Sequence, residues 1–407
     1  MRKKTLLNAL AALWALVIGA AASVASAQTV INVSTAAQLQ SAVSSANGAG
    51  GNRTILLADG TYTVTAMLNI TAPNITIAGQ GGHRANVIIQ GDAMSATAAV
   101  GPVIRVDASN FTLHDATVQR SANHTIQIVG EDGAQSPVIK DCILRDGYQQ
   151  LLKVSQDTTR PNVTSNNGLV ENCIFEYSAG IGPEYYIGGI DAHGAQNWVV
   201  RRNTFRNIIS PNTTVAEFAV HFWDLPAANN VVEQNTIINC DRAVGFGMDG
   251  RGSNGGIIRN NMIYHAANAG QFADTSISVI DTPNAQVYNN TILMLNSFPW
   301  AIEYRFSDTT GVLIENNATN LPIVARDGAT GTVSHNVTSA AASWFVAPAS
   351  GDLHLTSAIA SLVAQGVSIS GLIDDFDGNP RPQSAPTIGA QEWASVRPNP
   401  PSNVWVQ

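Results

Sequence analysis

From Val138 to Thr319 one six-residue pattern is written seven times, and a chain that repeats itself at this spacing has few folds open to it. Each copy runs apolar, two free positions, a polar residue that is usually Asn, a small or Thr/Cys residue, then an apolar or β-branched one. The copies are Val138–Ile143, Leu169–Ile174, Val200–Phe205, Val232–Ile237, Ile258–Ile263, Val287–Ile292 and Ile314–Thr319. Aligned on the polar position, Asp141, Asn172, Asn203, Asn235, Asn261, Asn290 and Asn317 follow at steps of 31, 31, 32, 26, 29 and 27 residues. A period in the twenties to thirties built from short strands is the signature of a solenoid. It is too short for a propeller blade of ~40–45 residues, and it carries no helix-length apolar stripe. Six asparagines in register predict an asparagine ladder, each amide donating to one neighbouring coil and accepting from the other.

The pattern resembles that of the right-handed parallel β-helix proteins: pectate, alginate and chondroitin lyases and mannuronan C5-epimerases. The resemblance covers roughly residues 50–340 and implies an all-β right-handed parallel β-helix. It speaks to fold far more than to activity, because one fold hosts many chemistries. Residues 34–45 read as a short amphipathic helix capped by Ser34 or Thr35, with Leu39, Ala42 and Val43 on its apolar side. Such a helix covers the open edge of the first coil, which a solenoid has to protect. Asp375–Pro382 and Ile388–Glu392 resemble a C-terminal segment common on bacterial β-helix proteins, with Thr387 where that pattern carries Asp. The expected organisation is therefore a leader over 1–27, an N-terminal cap over 28–50, the β-helix over 51–340, and a C-terminal cap and loose tail over 341–407.

The leader is read from Arg2, Lys3 and Lys4, an apolar run from Leu6 to Ala22, and the small-residue site Ala25-Ser26-Ala27. Cleavage after Ala27 predicts a secreted or periplasmic protein with no membrane anchor. Losing those three cations takes the net charge from −8 to −11 and leaves only Lys140 and Lys153 as lysines. Nucleic acid is excluded as a partner by that balance; a polysaccharide substrate and a monomeric chain are expected. Cys142 and Cys173 fall on the same rung of adjacent coils and read as stacked core thiols rather than a disulfide. Cys240 has no partner, and no cysteine has metal-ligand spacing.

Each coil carries a second strand upstream of its polar rung. In order these are Ile126–Val129, Leu152–Ser155, Ile190–His193, Val220–Trp223, Val244–Gly247, Ile277–Ile280, Ile302–Arg305 and Ile323–Arg326. Strand side chains alternate faces, and the first and third positions are apolar or small, so the second and fourth are expected to face solvent in two columns. One column is Gln127, Lys153, Asp191, His221, Gly245, Ser278, Glu303, Val324; the other is Val129, Ser155, His193, Trp223, Gly247, Ile280, Arg305, Arg326. With rungs about 4.8 Å apart, Lys153, Asp191, His193, His221 and Trp223 gather within three rungs. Gly245 and Gly247 leave a bare rung on which a sugar ring can rest. The turns at 156–167, 178–187 and 208–218 are longest beside these rungs and would wall a groove, bringing Glu184, Tyr185 and Tyr186 to it.

Lyases and C5-epimerases of uronate polymers remove the proton alpha to a carboxylate. They need a cation on that carboxylate, a base, and an acid for the leaving oxygen or the opposite ring face. Lys153 or Arg305 is a candidate cation and His193 or His221 a candidate base. Trp223, Tyr185, Tyr186 and Arg326 are candidate substrate contacts. Asp191 can orient a histidine or, with Glu303, help hold Ca²⁺, the one cofactor the reading admits. Gly189-Ile190-Asp191-Ala192-His193 is similar to the Asp-Pro-His motif of the C5-epimerases, which implies catalytic roles for Asp191 and His193, although Ala192 and Gly194 depart from it. The lyases use a Lys base on this kind of face, and Lys153 is compatible. A polysaccharide lyase on a uronate polymer is the leading expectation. The alternatives are an epimerase on the same substrate, a glycoside hydrolase using a pair drawn from Asp191, Asp224 and Asp249, and a non-catalytic carbohydrate binder.

Overall fold

A computed structural model describes residues 28–267, 273–296 and 298–393; the expected leader and the tail from Arg397 lie outside them. Three all-parallel sheets, one of twelve strands and two of ten, are stacked from coil to coil, and the strand order climbs three elements at a time. One coil shows the plan. The chain passes through Leu152–Ser155 in the first sheet, Leu169–Glu171 in the second and Ile174–Glu176 in the third, then returns to the first at Ile190–His193. Alternation explains why these segments form strands: Leu152, Val154, Ile190, Ala192, Val220 and Phe222 all point into the coil and are fully buried.

The corner between the second and third strands is made by one residue in the left-handed region. Asp141, Asn172, Arg202, Gln234, Asn260, Asn289 and Asn316 sit there with φ between 53° and 58°. Asn and Asp tolerate this conformation best, which explains their abundance at the corner. Strand pairing sets Val170 opposite Val200, so Asn203 lies beside Cys173 and not beside Asn172. The alignment on the polar position is thus one residue out in its first two copies. Asp141 and Asn172 belong to the outward corner column, and Cys142 and Cys173 head the inward one.

That inward column is a continuous series of amide hydrogen bonds. Nδ2 of Asn203, Asn235, Asn261, Asn290 and Asn317 donates in turn to Oδ1 of Asn235, Asn261, Asn290, Asn317 and Asn336 at 2.9–3.0 Å. Each Oδ1 also accepts a backbone N–H from the coil before, as in Asn235 N to Asn261 Oδ1 at 3.0 Å. At the top the thiols take over weakly: Cys173 N donates to Asn203 Oδ1 at 2.8 Å and Cys142 N to Cys173 Sγ at 3.4 Å. All three cysteines are buried and unbonded.

The first strand begins earlier than the sequence suggests. Thr29–Val33 already pairs in parallel with Arg53–Leu57. The helix follows at Ala36–Gly48, with Thr35 Oγ1 accepting from Gln38 N at 3.2 Å and Leu39, Ala42, Val43 and Ala46 buried against the first coil. The C-terminal segment lies along the flank of the last coils and is pinned by the corner column. Gln234, Asn260, Asn289 and Asn316 donate to the carbonyls of Asp375, Asp374, Thr387 and Val367. Arg381 is buried there, its guanidinium held by Asn260 Oδ1 and the carbonyls of Thr387, Gly389 and Ala390.

Candidate functional site

The first sheet stacks its strands in the register the alignment expects. Gln127, Lys153, Asp191, His221, Gly245, Ser278, Glu303 and Val324 are successive neighbours, and His193 pairs with Trp223. Lys153, Asp191, His193, His221 and Trp223 are therefore brought together, with Asp224 and Arg251 added from the turns below.

A chain of polar contacts runs through them. Lys153 Nζ donates to Asp191 Oδ2 at 2.5 Å and lies 2.7 Å from His193 Nε2. His193 Nδ1 is 2.6 Å from Asp224 Oδ2, and Asp224 in turn takes two N–H groups from Arg251, Nε at 2.5 Å and Nη2. Trp223 Nε1 donates to Asp191 Oδ1 at 2.6 Å. The partners assign the tautomer of His193: Nδ1–H faces the Asp224 carboxylate, so Nε2 presents its lone pair to the Lys153 ammonium. The indole of Trp223 is the hub. His221 stacks on it at 5.2 Å and 5°, His193 leans on it at 4.2 Å, and the Arg251 guanidinium lies 3.9 Å from the ring centroid.

The electrostatics follow from burial and these pairs. Burial opposes the Asp191 carboxylate, but the His193 ring, its Nε2 3.6 Å from Oδ1, and the Lys153 charge outweigh it and hold the pKa well below the carboxylate range. Asp224 is likewise lowered, burial being overcome by His193 and Arg251. For His193, burial pulls the pKa down; the nearby Asp191 carboxylate and the bond to Asp224 carry the net shift upward against the nearby Lys153. Next to the cluster His124 is buried, its pKa depressed to about 4 by desolvation and then by Lys153.

The face is not open to solvent as the alternation suggests. Asp191 and His221 are 2% and 1% exposed, and Ser278 and Glu303 are also buried. They are roofed by side chains from turns, which no strand periodicity reveals. Phe218 lies 4.7 Å from the His221 ring, and Glu217 Oε2 is 3.5 Å from His221 Nδ1. His221 Nε2 faces the Gly247 carbonyl at 3.0 Å and so donates there, which leaves Nδ1 without a hydrogen bond. The bare rung is filled as well. A Cβ on Gly245 would meet the Phe218 ring at 2.7–2.9 Å; Gly247 has φ +74° and abuts the Ile280 carbonyl. No sugar ring can rest there. What solvent reaches is the Lys153–His193 pair, with side chains 11% and 15% exposed, and Arg251 at 43%.

Other expected site residues stand apart. Asp191 and Glu303 are four rungs from each other, about 19 Å at the usual strand spacing, so they share no Ca²⁺. Glu303 is held instead by Ser278 Oγ at 2.8 Å and Arg326 Nη1 at 2.6 Å. Among the described residues no three His, Cys, Asp or Glu side chains converge to hold a metal ion. Arg305, on the rung of Glu303, pairs with Asp327 and not with the cluster. Tyr185 and Tyr186 meet each other, ring centroids 6.4 Å apart, on the 178–187 turn. Asp249 is on an exposed turn, while Asp224 serves His193 and Arg251 rather than a carboxylate pair. Arg251, Glu217, Phe218 and His124 escaped the sequence reading because they lie off the two aligned strand positions. The only available signal for Arg251 was the Asp249-Gly250 turn, which doubles the chain back so that Met248 and Arg251 bridge.

No protein-family model matches the chain, and no curated protein matches it in sequence. Solved structures do resemble it. Pectate lyase Pel9A superposes with a TM-score of 0.54 at 15% identity, covering 86% of this chain and 90% of that one. An alginate lyase from Paenibacillus sp. str. FPU-7 gives 0.43 at 14% identity (68% and 97%), and an endo-xylogalacturonan hydrolase from Aspergillus tubingensis 0.44 at 11% (76% and 94%). Identities this low speak to the backbone alone. Taken with the three all-parallel sheets and the coil-by-coil register, the likeness to Pel9A makes the chain a right-handed parallel β-helix with a helix near its N-terminus.

Proposed function

We propose that this protein is a carbohydrate-active β-helix enzyme, a lyase that cleaves a uronate-containing polysaccharide by β-elimination at the Lys153–His193 pair. The observation that carries the reading is the hydrogen-bonded chain Asp191–Lys153–His193–Asp224–Arg251, opening to solvent at the pair and at the arginine. The backbone likeness to a pectate lyase is consistent with it.

The chain can be read as a proton device. A proton held on Lys153 Nζ has a lone pair at His193 Nε2 2.7 Å away. Moving it there gives an imidazolium paired with Asp224 and a neutral amine on Lys153, the form able to take a proton from carbon. The amine then removes the proton alpha to the uronate carboxylate. The C–H electrons become the new C=C bond, the C–O bond at the neighbouring carbon breaks, and the leaving oxygen receives a proton from the same pair. Nothing beyond substrate and side chains is consumed. Charge developing on the carboxylate is met by Arg251, whose Nη1 makes no hydrogen bond among the described residues while Nε and Nη2 are fixed by Asp224. Asp191 does not react in this scheme, since both its oxygens are engaged by Lys153 and Trp223. An exported location, expected from the leader, suits a polymer that stays outside the cell.

The test is a panel of pectate, alginate, glycosaminoglycans and neutral glycans. A lyase releases unsaturated ends that absorb in the ultraviolet. Reducing ends without that absorbance would mean a hydrolase, altered uronate configuration without cleavage an epimerase, and binding alone a lectin-like protein; any of these sinks the lyase assignment.

A further inference from the structure

We propose that a second sugar-binding patch lies on the same sheet face, beyond Phe218, built by Arg242, Asp274, Ser278, Glu303, Trp300 and Arg326, and that it takes an uncharged, hydroxyl-rich sugar unit. It rests on the lyase reading above and sharpens the substrate: a polymer in which uronates alternate with neutral sugars, rather than a run of uronates.

The patch is centred on Glu303, four rungs from Asp191, about 19 Å along the sheet at the usual spacing. Its floor is fixed. Glu303 is 4% exposed and both its oxygens are used, by Ser278 Oγ and Arg326 Nη1. The Arg326 guanidinium lies 4.9 Å from the centroid of the half-buried Trp300 ring. The rim is not satisfied. Among the described residues Trp300 Nε1 and Arg242 Nε make no hydrogen bond, and the side chains around them stay open to solvent, Arg242 at 24%, Asp274 at 25% and Arg326 at 31% exposure. Arg242 Nε is 3.3 Å from Asp274 Oδ2, but the angle makes no hydrogen bond. A shielded N–H without an acceptor is costly, and native proteins keep few of them. The two lie two rungs apart on one face, with Asp274 between them, so one sugar unit spans both and can supply an acceptor to each.

The charges select the guest. Two arginines are matched by two carboxylates, so the patch is neutral. A uronate carboxylate entering it would face Asp274 and Glu303. A hydroxyl meets no such repulsion and can accept from Arg242 or Trp300 while donating to Asp274. The reaction site differs, since there Arg251 offers free donors to an anion. A polymer reaching both places is bound twice, and the second contact is effectively intramolecular.

The experiment uses the Lys153→Met chain, which does not turn over the polymer, and measures its affinity for two probes: rhamnogalacturonan backbone, which alternates uronate and neutral sugar, and polygalacturonate, which is uronate throughout. Trisaccharides of each serve as the short reference. The mixed polymer should bind at least about tenfold more tightly than the homopolymer. Adding Trp300→Ala or, separately, Arg242→Met should erase that preference, with circular dichroism unchanged. Equal affinity for the two polymers, or a preference that survives both folded variants, overturns the proposal. If wild-type protein still releases unsaturated ends in that case, the patch alone has failed. If wild-type protein releases none from any acidic polymer, the lyase reading has failed, and the patch is judged on the binding ratios.

Discussion

Truncating Asn261 to alanine should unfold the solenoid at markedly lower denaturant, and the size of the loss can be worked from its partners. Asn261 is fully buried. Its Oδ1 accepts from Asn235 N and Asn235 Nδ2, both at 3.0 Å; its Nδ2 donates to Val232 O and Asn290 Oδ1, both at 2.9 Å. After truncation Asn235 Nδ2 keeps Val200 O, and Asn290 Oδ1 keeps the Asn261 backbone N–H. The Asn235 backbone N–H has no other acceptor and is left buried. One orphaned donor costs about 1–3 kcal/mol, and the partial losses at the other three contacts add about 1–2 kcal/mol, so about 2–5 kcal/mol is expected in all. The control is Asn172→Gly. Asn172 is exposed, makes one side-chain hydrogen bond, to Asp141 Oδ1 at 2.6 Å, and has φ 53°, which glycine adopts freely. Its replacement should cost about 0.5–1 kcal/mol. Urea unfolding followed by circular dichroism reads both. Similar losses for the two variants would mean that Asn172 belongs to the inward column after all, and the register argued here would be wrong.

Asp224→Asn keeps a hydrogen-bond partner for His193 but removes the charge that favours its imidazolium, so kcat/KM for the unsaturated product should fall about 10²-fold or more, in the range of positioned proton transfer; a change within threefold would remove Asp224 from the device. His354, between Asp352 and Asp377, has its pKa raised to about 9, burial being outweighed by the two carboxylates. A folded pKa above the unfolded one adds stability that is complete below about pH 6.5 and is lost as pH rises toward 9. The gap in unfolding midpoint between wild type and His354→Gln should therefore close over that interval, and a gap that persists above pH 9 contradicts it. Gly245→Ala sets a Cβ against the Phe218 ring and should cost about 1–3 kcal/mol by overpacking; Phe218→Leu in the same chain should recover part of it, and no recovery would place the clash elsewhere.

What could be read from the sequence follows the physics of repeats. The first sheet's register was legible because inward positions such as Ile190, Ala192, Val220 and Phe222 are apolar by necessity, and a slip of one residue would have buried Asp191 among them. The offset at Asp141 and Asn172 has an equally plain origin. Two adjacent columns both favour asparagine, one for its left-handed corner and one for its ladder, as the doublets Asn260-Asn261, Asn289-Asn290 and Asn316-Asn317 show. Where the inward member is Cys142 or Cys173, alignment on the polar residue picks the wrong column. The roof of the site was illegible because Phe218, Glu217 and Arg251 lie on turns, which have no period to align. Gly245 misled for a related reason: a glycine leaves space, and only the neighbours decide whether that space stays empty.

Burial then sorts the gathered residues by what they are able to do. Asp191, His221 and Trp223, the last 7% exposed and so no platform for a sugar, cannot touch a polymer, but Asp191 holds a group that can. Asp191 fixes the Lys153 ammonium and the Trp223 N–H, and His221 stacks on that indole. In a region from which water is excluded, each such contact is stronger than it would be at an open surface, and each would be costly left unpaired. The accessible groups are thus positioned before any substrate arrives: Lys153 against the His193 lone pair, and Arg251 pinned by Asp224 with one nitrogen free. A face of scattered polar side chains would have no reason to bury its carboxylate beneath a lysine, an indole and two imidazoles. The proposed proton transfer would use such burial, because it asks for the pair to be held at 2.7 Å while charge shifts from one nitrogen to the other.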